Sequence, residues 1–209
     1  MDRNQVTFET WNKVASLYHE KFMNLEQYND SYDKFCELVE KQGAAVFEVG
    51  CGPGNITRYL LNKRPDFQIH AIDYAPKMVE LARINNPGVQ CSIMDCRYMG
   101  EIQAIFDAVI SGFCIPYLSR EETSGFFKDC AKLLLPEGVL YFSAIKGDYH
   151  TSGYMKGSSG DEAYVYYYDE DLLQALLFEN KFRLLNVLYK NSNINGRPFT
   201  EMIFIARKN

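Results

Sequence analysis

Apolar residues change their spacing about a fifth of the way along the chain. Before this point they recur every three or four positions from Phe8 to Phe22 and again from Tyr32 to Val39, which predicts two amphipathic helices. After it, short apolar runs alternate with helical patterns, and the first run, Ala45 to Val49, has the composition of a strand buried on both faces. The pattern predicts a single domain, with a helical cap over residues 1–42 and an α/β core over residues 43–209.

The core pattern alternates strands with helices through most of its length. It predicts strands over Ala45–Val49, Phe67–Ile72, Val89–Ile93, Phe106–Ile110 and Val139–Ile145, and helices over Asn55–Asn62, Pro76–Ile84, Ser119–Leu135 and Asp169–Asn180. Two final strands, Arg183–Tyr189 and Thr200–Ala206, are separated by a turn-rich segment without a helix, so they can be neighbours only if they are antiparallel. The predicted fold is therefore α/β: a seven-stranded, mostly parallel, Rossmann-like sheet with the last strand antiparallel and helices on both faces.

One segment of the core fits neither the strand pattern nor the helix pattern. Residues 146–168 are rich in Gly, Ser and Tyr. A segment of this length without regular structure is either functional or mobile in a compact domain. We expect an insertion near the active site, with its tyrosines forming one wall of an acceptor pocket between it and the N-terminal helices.

Composition narrows the classes of function. The chain has 209 residues, enough for one domain with a sizeable core, and its formal net charge is −5 without any run of Lys or Arg, which disfavours nucleic-acid binding. Its six cysteines include no CxxC pair and it has three histidines, so we expect reduced thiols and no structural zinc. Neither a signal peptide nor a membrane-spanning run is evident, which predicts a soluble, cytoplasmic protein.

A glycine-rich turn, Gly50 to Gly54, follows the first strand and opens a helix. Glycines let the chain turn sharply and let a ligand approach the backbone, while the start of the following helix offers unpaired N–H groups. Taken alone, a glycine-rich turn is as often only a tight turn that binds no ligand. Its place between a buried strand and a helix indicates a nucleotide-binding loop.

Three acidic residues near this turn are candidates for ligand contacts. Asp73 ends the second strand, where an acid can accept hydrogen bonds from ribose hydroxyls, although it could instead cap the helix that begins near Pro76. Asp95 follows the third strand and could accept from an adenine amino group or simply serve the turn. Glu48 interrupts an apolar strand, and because a buried acid needs a partner, it is expected to contact the ligand or the loop amides.

With these motifs in this order, the chain resembles the class I S-adenosylmethionine-dependent methyltransferases over nearly its whole length. The matching segments are Glu48–Gly54, Ile69–Asp73, Ser92–Asp95, Phe106–Ser111 and Leu133–Leu140. The resemblance implies S-adenosylmethionine as cofactor.

The resemblance also implies a set of cofactor-binding residues. The glycine turn would lie against the methionine portion, Asp73 at the ribose, and a tyrosine of the first helix over the carboxylate end. Tyr18 is the first candidate for that tyrosine position and Trp11 the second, although either aromatic could equally face the core. The whole set is Tyr18, Glu48, Gly50, Cys51, Gly52, Gly54, Asp73, Tyr74, Met78, Asp95, Cys96, Ser111 and Phe113.

The methyl acceptor is less constrained than the donor. Methyl transfer depends on holding the acceptor in line with the leaving sulfur, so a general base is optional. The segment Ser111-Gly112-Phe113-Cys114 lacks the Pro-Pro-aromatic motif of enzymes that methylate nucleic-acid bases, and Ser111 stands where catechol-type enzymes carry a metal-binding acid. We therefore expect a small-molecule O or N acceptor and no metal. His150 and His19 are weak candidates for a base.

Two alternatives stay open at the level of sequence. A nicotinamide-dependent oxidoreductase would also use a glycine loop and a distal acid, but it would favour a small residue at position 55, where this chain has Asn55. A non-catalytic relative that binds the nucleoside as a regulatory or interaction module would keep the same cofactor motifs. The chain could act as a monomer or a homodimer.

Overall fold

The computed structural model describes residues 3–157, 159–194 and 197–209. Within them the helices are α1 (Arg3–Phe22), α2 (Asn29–Leu38), α3 (Asn55–Lys63), α4 (Pro76–Asn85), α5 (Arg120–Leu133) and α6 (Glu170–Glu179). The strands are β1 (Ala45–Val49), β2 (Gln68–Asp73), β3 (Gln90–Ile93), β4 (Phe106–Ser111), β5 (Leu134–Ile145), β6 (Gly153–Lys156), β7 (Glu162–Val165), β8 (Phe182–Ile194) and β9 (Arg197–Lys208).

Seven of these strands form the main sheet, in the order β3-β2-β1-β4-β5-β9-β8. Strands β1 to β5 are parallel to one another, and β9 is antiparallel to both β5 and β8. This arrangement confirms the predicted fold. The strand order reverses between β1 and β4, and in open α/β sheets this point, at the carboxyl ends of the strands, is where ligands bind.

Alternate residues of the central strands supply two apolar layers, one on each face of the sheet. On one face Phe47 and Phe142 pack with Phe127 of α5. On the other, Val46 and Tyr141 pack with helices α2 and α3. Burial on both faces explains why these strands appear in the sequence as continuous apolar runs. In the described ranges, no helix combines the length and the apolar character needed to cross a bilayer.

The boundary between α5 and β5 differs from the prediction. The predicted capping box is present, since the Ser119 hydroxyl accepts from the Glu122 backbone and the Glu122 side chain accepts from the Ser119 backbone. The helix ends at Leu133, however, and β5 begins at Leu134, five residues before the predicted Val139. The cause is an irregular register: Glu137 has a positive φ of 62°, and β4 and β5 pair again only beyond this kink.

The prediction of an irregular insertion over 146–168 is wrong for its central part. Strands β6 and β7 form a separate antiparallel hairpin. The hairpin packs against α1: the Tyr164 N–H donates to the Thr7 hydroxyl at 3.2 Å, and the Thr10 hydroxyl donates to the Glu162 carbonyl at 2.6 Å. The insertion therefore braces α1 from outside.

The two last strands are longer than predicted. β8 continues to Ile194 and β9 starts at Arg197, so most of the segment predicted as a turn, residues 191–198, belongs to the strands. Residues 195 and 196 lie outside the described residues. The extension carries Ser192 and Phe199 beyond the end of β5, over the edge of the sheet where the parallel strands end.

Candidate functional site

A cavity of about 470 Å³ runs along the edge of the sheet where β1 to β5 end. Its volume lies in the range of about 300–1,000 Å³ that is usual for small-molecule sites. The loops after β1 to β4 form its floor, α1 and the segment after it form one wall, and β8 and β9 close one end. The cavity is therefore shared between the predicted nucleotide loops and parts of the chain that carry no recognisable motif.

Most of the residues predicted to bind the cofactor lie on this cavity. Those that line it are Tyr18, Gly50, Cys51, Gly52, Asp73, Tyr74, Met78, Asp95, Cys96 and Phe113. Glu48, Gly54 and Ser111 are not among its lining residues, and neither are His19 and His150.

The glycine turn has the backbone conformation that its sequence suggests. Gly50, Gly52 and Gly54 all have positive φ, and the N–H groups of Gly50 and Cys51 both donate to the Ile72 carbonyl at 2.9 Å. At Gly54 a Cβ would lie 2.2 Å from Asn86 Nδ2. Packing against α4 is therefore sufficient to exclude a side chain at Gly54.

Asp73 anchors the turn and also faces the cavity. Its Oδ2 accepts from the Gly52 N–H and its Oδ1 from the Ala75 N–H, both at 2.9 Å. It does not cap α4, whose N-cap residue is Ala75. Burial raises the pKa of Asp73 to about 6. The Tyr74 backbone N–H also acts on this carboxyl, and since a carboxylate offers about four lone-pair directions, at least one remains for a ligand.

Asp95 is already paired within the protein. Arg97 Nη2 lies 2.5 Å from its Oδ2, and the Arg97 N–H donates to Oδ1 at 2.9 Å. Arg97 Nη1 also lies 3.2 Å from Glu122 Oε1, and these carboxylates, Asp95 first, raise the pKa of Arg97. The guanidinium that lines the cavity is therefore neutralised by two carboxylates.

The structure places Glu48 and Ser111 beneath the cavity. Glu48 is fully buried and accepts a hydrogen bond from the Thr57 hydroxyl of α3, and burial raises its pKa to about 8. The partner of Glu48 is therefore a side chain of α3, whereas the sequence favoured the ligand or the loop amides. Ser111 is also fully buried, and its hydroxyl has no partner in the described part of the chain.

The two candidate histidines lie away from the cavity. His19 Nε2 is 3.3 Å from Asn85 Oδ1, and Asn85 Nδ2 donates to the Pro53 carbonyl at 2.8 Å, so His19 joins α1 to α4 and the glycine turn. His150 belongs to a short 3₁₀ turn of the insertion and its side chain is exposed. Neither is positioned to take a proton from a molecule in the cavity.

An aromatic cluster from α1 forms the wall opposite the glycine turn. The rings of Trp11 and Tyr18 meet edge to face at 5.5 Å, and Trp11 meets Tyr117 in the same manner at 5.3 Å. Tyr18 Cε1 would lie 3.9 Å from a Cβ at Gly52. Trp11 Nε1 is buried without a hydrogen-bond partner among the described residues, so it is a donor that a ligand could satisfy.

Sequence reasoning missed a second buried carboxyl at the opposite end of the cavity. Glu201 of β9 is 1% exposed; its Oε2 accepts from the Tyr28 hydroxyl at 2.6 Å and its Oε1 from the Ser143 hydroxyl at 3.0 Å. Burial raises the pKa of Glu201 to about 7. The sequence carried the same signal as at Glu48, an acid within an apolar strand, because Glu201 lies in the predicted strand Thr200–Ala206.

Phe113 connects this carboxyl cluster to the end of β4. It has a φ of 63°, which is strained for a residue with a side chain, and its N–H donates to the Ser143 hydroxyl at 2.9 Å. Its ring meets that of Tyr28 edge to face at 4.9 Å. Within the described ranges no group of three or more His, Cys, Asp or Glu side chains could hold a metal ion.

The sheet order, the glycine turn and the cavity define a Rossmann-like ligand-binding fold. Residues 46–138 match a family model described as a methyltransferase domain. The chain is 34% identical over 109 residues to a malonyl-[acyl-carrier protein] O-methyltransferase of Acetivibrio thermocellus, an alignment covering 51% of this chain and 38% of that relative. It is 24% identical over 167 residues to a tRNA N(3)-methylcytidine methyltransferase of Schizosaccharomyces pombe, covering 75% of this chain and 66% of that protein.

A solved structure shares the whole fold. Magnesium protoporphyrin IX methyltransferase of Synechocystis PCC 6803, with S-adenosylhomocysteine bound, superposes with a TM-score of 0.74 at 14% identity, and the superposition covers 100% of both chains. Residues 46–138 thus match a methyltransferase domain by sequence, and the chain as a whole has the fold of the class I S-adenosylmethionine-dependent methyltransferases. It spans 38%, 49% and 63% of the length of three curated relatives.

Proposed function

We propose that the protein is a methyltransferase that transfers the methyl group of S-adenosylmethionine to a small-molecule O or N acceptor by in-line displacement. The observation that carries this proposal is the continuity of the cavity. One cavity joins Asp73, at the expected ribose position, to Glu201, beyond the end of β5. A donor and an acceptor can therefore lie end to end in it, as in-line transfer requires. The proposed unit is one domain over residues 1–209, capped by residues 1–42.

The residues present fit S-adenosylmethionine. Asp73 lines the cavity and keeps a lone-pair direction for a ribose hydroxyl besides its backbone hydrogen bonds. Tyr74 and Met78 offer apolar surface beside it for the nucleoside, and the Gly50–Gly52 backbone is accessible from the cavity. The unpartnered Trp11 Nε1 supplies a donor on the opposite wall.

The chain's own residues contribute positioning and exclusion of water. When bound, S-adenosylmethionine supplies a methyl group on a positively charged sulfur, which is an activated leaving group. The aromatic wall of Trp11, Tyr18 and Tyr117 covers the centre of the cavity. Covering the reacting atoms limits hydrolysis and strengthens the electrostatic contacts that orient the acceptor.

A small molecule is favoured over a nucleic acid as acceptor, although one relative acts on tRNA by its name. The chain carries a formal net charge of −5, and the cavity guanidinium of Arg97 is held by two carboxylates. A nucleic-acid substrate needs basic groups that are available to phosphates. We further propose a cytoplasmic location, because the six cysteines are free thiols.

A thermal-shift panel with S-adenosylmethionine, S-adenosylhomocysteine and NAD tests the proposal. A ligand present at a hundred times its dissociation constant adds about 2.7 kcal/mol of stability. We expect a shift with both sulfur compounds and none with NAD. A shift with NAD alone would support an oxidoreductase instead. Release of S-adenosylhomocysteine in an acceptor screen then separates an enzyme from a non-catalytic binding protein.

A further inference from the structure

The charges that line the cavity are unbalanced. Among its described lining residues, three carry carboxyl groups, Asp73, Asp95 and Glu201, and one, Arg97, carries a guanidinium. Arg97 is bound to Asp95 and to Glu122 outside the lining. Neither remaining carboxyl, Asp73 or Glu201, has a cationic partner within hydrogen-bonding distance among the described residues. The cavity is therefore suited to a ligand that carries hydrogen-bond donors or positive charge.

Glu201 lies well beyond the reach of a nucleoside held by Asp73. Asp73 ends β2, whereas Glu201 pairs with Ile145 at the end of β5. In the order β2-β1-β4-β5-β9 these two strands are four steps apart, about 19 Å at the usual strand spacing. The glycine turn after β1 lies between them. Glu201 is thus placed at the acceptor end of the cavity.

The hydrogen bonds of Glu201 leave it able to bind a further donor. Tyr28 occupies one lone-pair direction on Oε2 and Ser143 one on Oε1. A carboxylate offers about four such directions. The Phe113 N–H donates to the Ser143 hydroxyl, which fixes the direction in which this hydroxyl donates to Glu201. The carboxyl is held in place by neutral hydroxyls that do not neutralise its charge.

The surroundings of Glu201 are aromatic. Tyr28, Phe113 and Phe199 line the same end of the cavity. Burial raises the pKa values of the Tyr18 and Tyr117 hydroxyls, and the charge of Glu201 raises them further. Aromatic faces attract cations, most strongly where water is excluded. An aromatic enclosure with a carboxylate at its base is a suitable site for an ammonium group or an amine.

We propose that Glu201 is the catalytic residue that binds the methyl acceptor, and that the acceptor is a small amine methylated on nitrogen. This inference rests on the proposed function and narrows its acceptor class. A carboxylate acceptor would face Glu201 without an available cation, and like charges in a cavity of this kind repel strongly. Glu201 binds the ammonium form through an N–H donor and holds the nitrogen toward the glycine turn.

The reaction balances with this single carboxyl. The ammonium nitrogen gives one proton to the Glu201 carboxylate, which frees its lone pair. The nitrogen lone pair forms the new N–C bond while the bond between the methyl carbon and sulfur breaks. The electron pair of the broken bond stays on sulfur. The products are the N-methylammonium and S-adenosylhomocysteine, and the proton leaves Glu201 for water. Burial raises the pKa of Glu201 to about 7, which suits proton exchange near neutral pH.

The test uses amines of defined structure on the whole protein loaded with S-adenosylhomocysteine. Benzylamine, phenethylamine and hexylamine are each compared with the alcohol and the carboxylate of the same skeleton, first by thermal shift and then by calorimetry. We expect at least one amine to stabilise the loaded protein and its matched carboxylate to have no effect. Stabilisation by a carboxylate, or by none of the amines, overturns the proposal. This comparison needs no variant.

Glu201→Gln then identifies the residue responsible. It keeps the shape of the side chain but removes its charge and replaces one acceptor oxygen by an amide donor, and it should weaken amine binding by about tenfold or more. Glu170→Gln is a matched control, because Glu170 also accepts from a tyrosine hydroxyl, that of Tyr189 at 2.9 Å, but lies outside the cavity lining. It should leave amine binding unchanged.

Binding of S-adenosylhomocysteine distinguishes the possible failures. If the wild-type protein does not bind it, the proposed function fails and this inference fails with it. If the wild type binds it but amines do not stabilise the complex, only the inference is wrong. If Glu201→Gln weakens S-adenosylhomocysteine binding itself by tenfold, Glu201 contacts the cofactor and its assignment to the acceptor is wrong.

Discussion

The two ends of the cavity are built in different ways. The cofactor end consists of loops that directly follow β1, β2 and β3, and its acids are tied to nearby backbone or to a neighbouring side chain: Asp73 to Gly52 and Ala75, and Asp95 to Arg97. The acceptor end gathers Tyr28, Ser143 and Glu201 from positions up to 173 residues apart. The first end is locally encoded, whereas the second depends on the completed sheet.

This difference separates binding of the cofactor from binding of the acceptor in physical terms. A nucleoside binds to backbone groups and one carboxylate, which a short motif can supply. An acceptor binds to whichever side chains the outer strands and the cap bring together. The matched family model covers residues 46–138, which includes the whole cofactor end but neither Glu201 nor α1. The following predictions test whether the two ends can be separated.

The largest effect is expected at Asp73. Asp73→Asn should weaken S-adenosylhomocysteine binding about 100-fold, close to 3 kcal/mol, because it removes a charge-assisted hydrogen bond and turns a donor toward a ribose hydroxyl. Isothermal calorimetry measures it. Asp95→Asn is the comparison, and since Asp95 is already bound to Arg97, a loss of less than about tenfold is expected. A larger loss for Asp95→Asn than for Asp73→Asn would reverse the assignment.

The next effect concerns the backbone of the glycine turn. Gly54 and Gly160 share a φ of 82°, but a Cβ at Gly54 would meet Asn86 at 2.2 Å whereas nothing lies within 4 Å of one at Gly160. Alanine at either site is strained by about 1 kcal/mol. We expect Gly54→Ala to lower the free energy of unfolding in urea by about 2 kcal/mol more than Gly160→Ala does. Equal losses would mean that strain alone requires glycine at 54.

The sequence predicted the loops and strand ends at the cofactor end because their signals are local. The strand-turn-helix around Gly50 and the acids at the ends of β2 and β3 lie at the predicted positions, since each depends on a few adjacent residues. Glu201 was not recognised because its partners Tyr28 and Ser143 lie on other elements, and only pairing of β5 with β9 brings them together. The hairpin in the insertion was missed for a similar reason, because its support comes from α1.

The two buried glutamates should respond differently to pH. Burial raises the pKa of Glu48 from 4.5 to about 8 and that of Glu201 to about 7. The folded state therefore binds a proton that the unfolded state has lost, and the stability this proton contributes is complete below pH 4.5 and is lost as the pH rises through the folded pKa. Replacing either glutamate by glutamine removes that loss.

Urea unfolding from pH 6 to pH 7.5 checks this expectation. Relative to wild type, Glu48→Gln should gain stability on the order of 2 kcal/mol across the range, and Glu201→Gln about 1 kcal/mol with a plateau above pH 7. The difference cancels contributions from Asp73 and other groups common to all three proteins. No change in relative stability with rising pH would show that the glutamates are already charged in the folded state near neutral pH.

The smallest effect is expected at Phe113, which lies between the two ends of the cavity. Two substitutions there separate the cost of backbone strain from the loss of side-chain packing. Phe113 adopts a φ of 63°, which glycine tolerates and alanine does not. Both Phe113→Gly and Phe113→Ala lose the ring contact with Tyr28, so their difference reports the backbone alone. Phe113→Gly should be the more stable of the two by about 1 kcal/mol.

Gly125 provides a control in which alanine should raise, rather than lower, the stability of the protein relative to glycine. It lies within α5 with nothing within 4 Å of a Cβ position, so Gly125→Ala should stabilise the protein by about 1 kcal/mol.

If Phe113→Ala is as stable as Phe113→Gly, the backbone at position 113 relaxes from its φ of 63° without cost. In that case the Phe113 N–H would no longer be fixed on the Ser143 hydroxyl. The orientation of the Glu201 carboxyl would then depend on Tyr28 alone, and Tyr28→Phe, rather than a change at Ser143, would have the greater effect on amine binding.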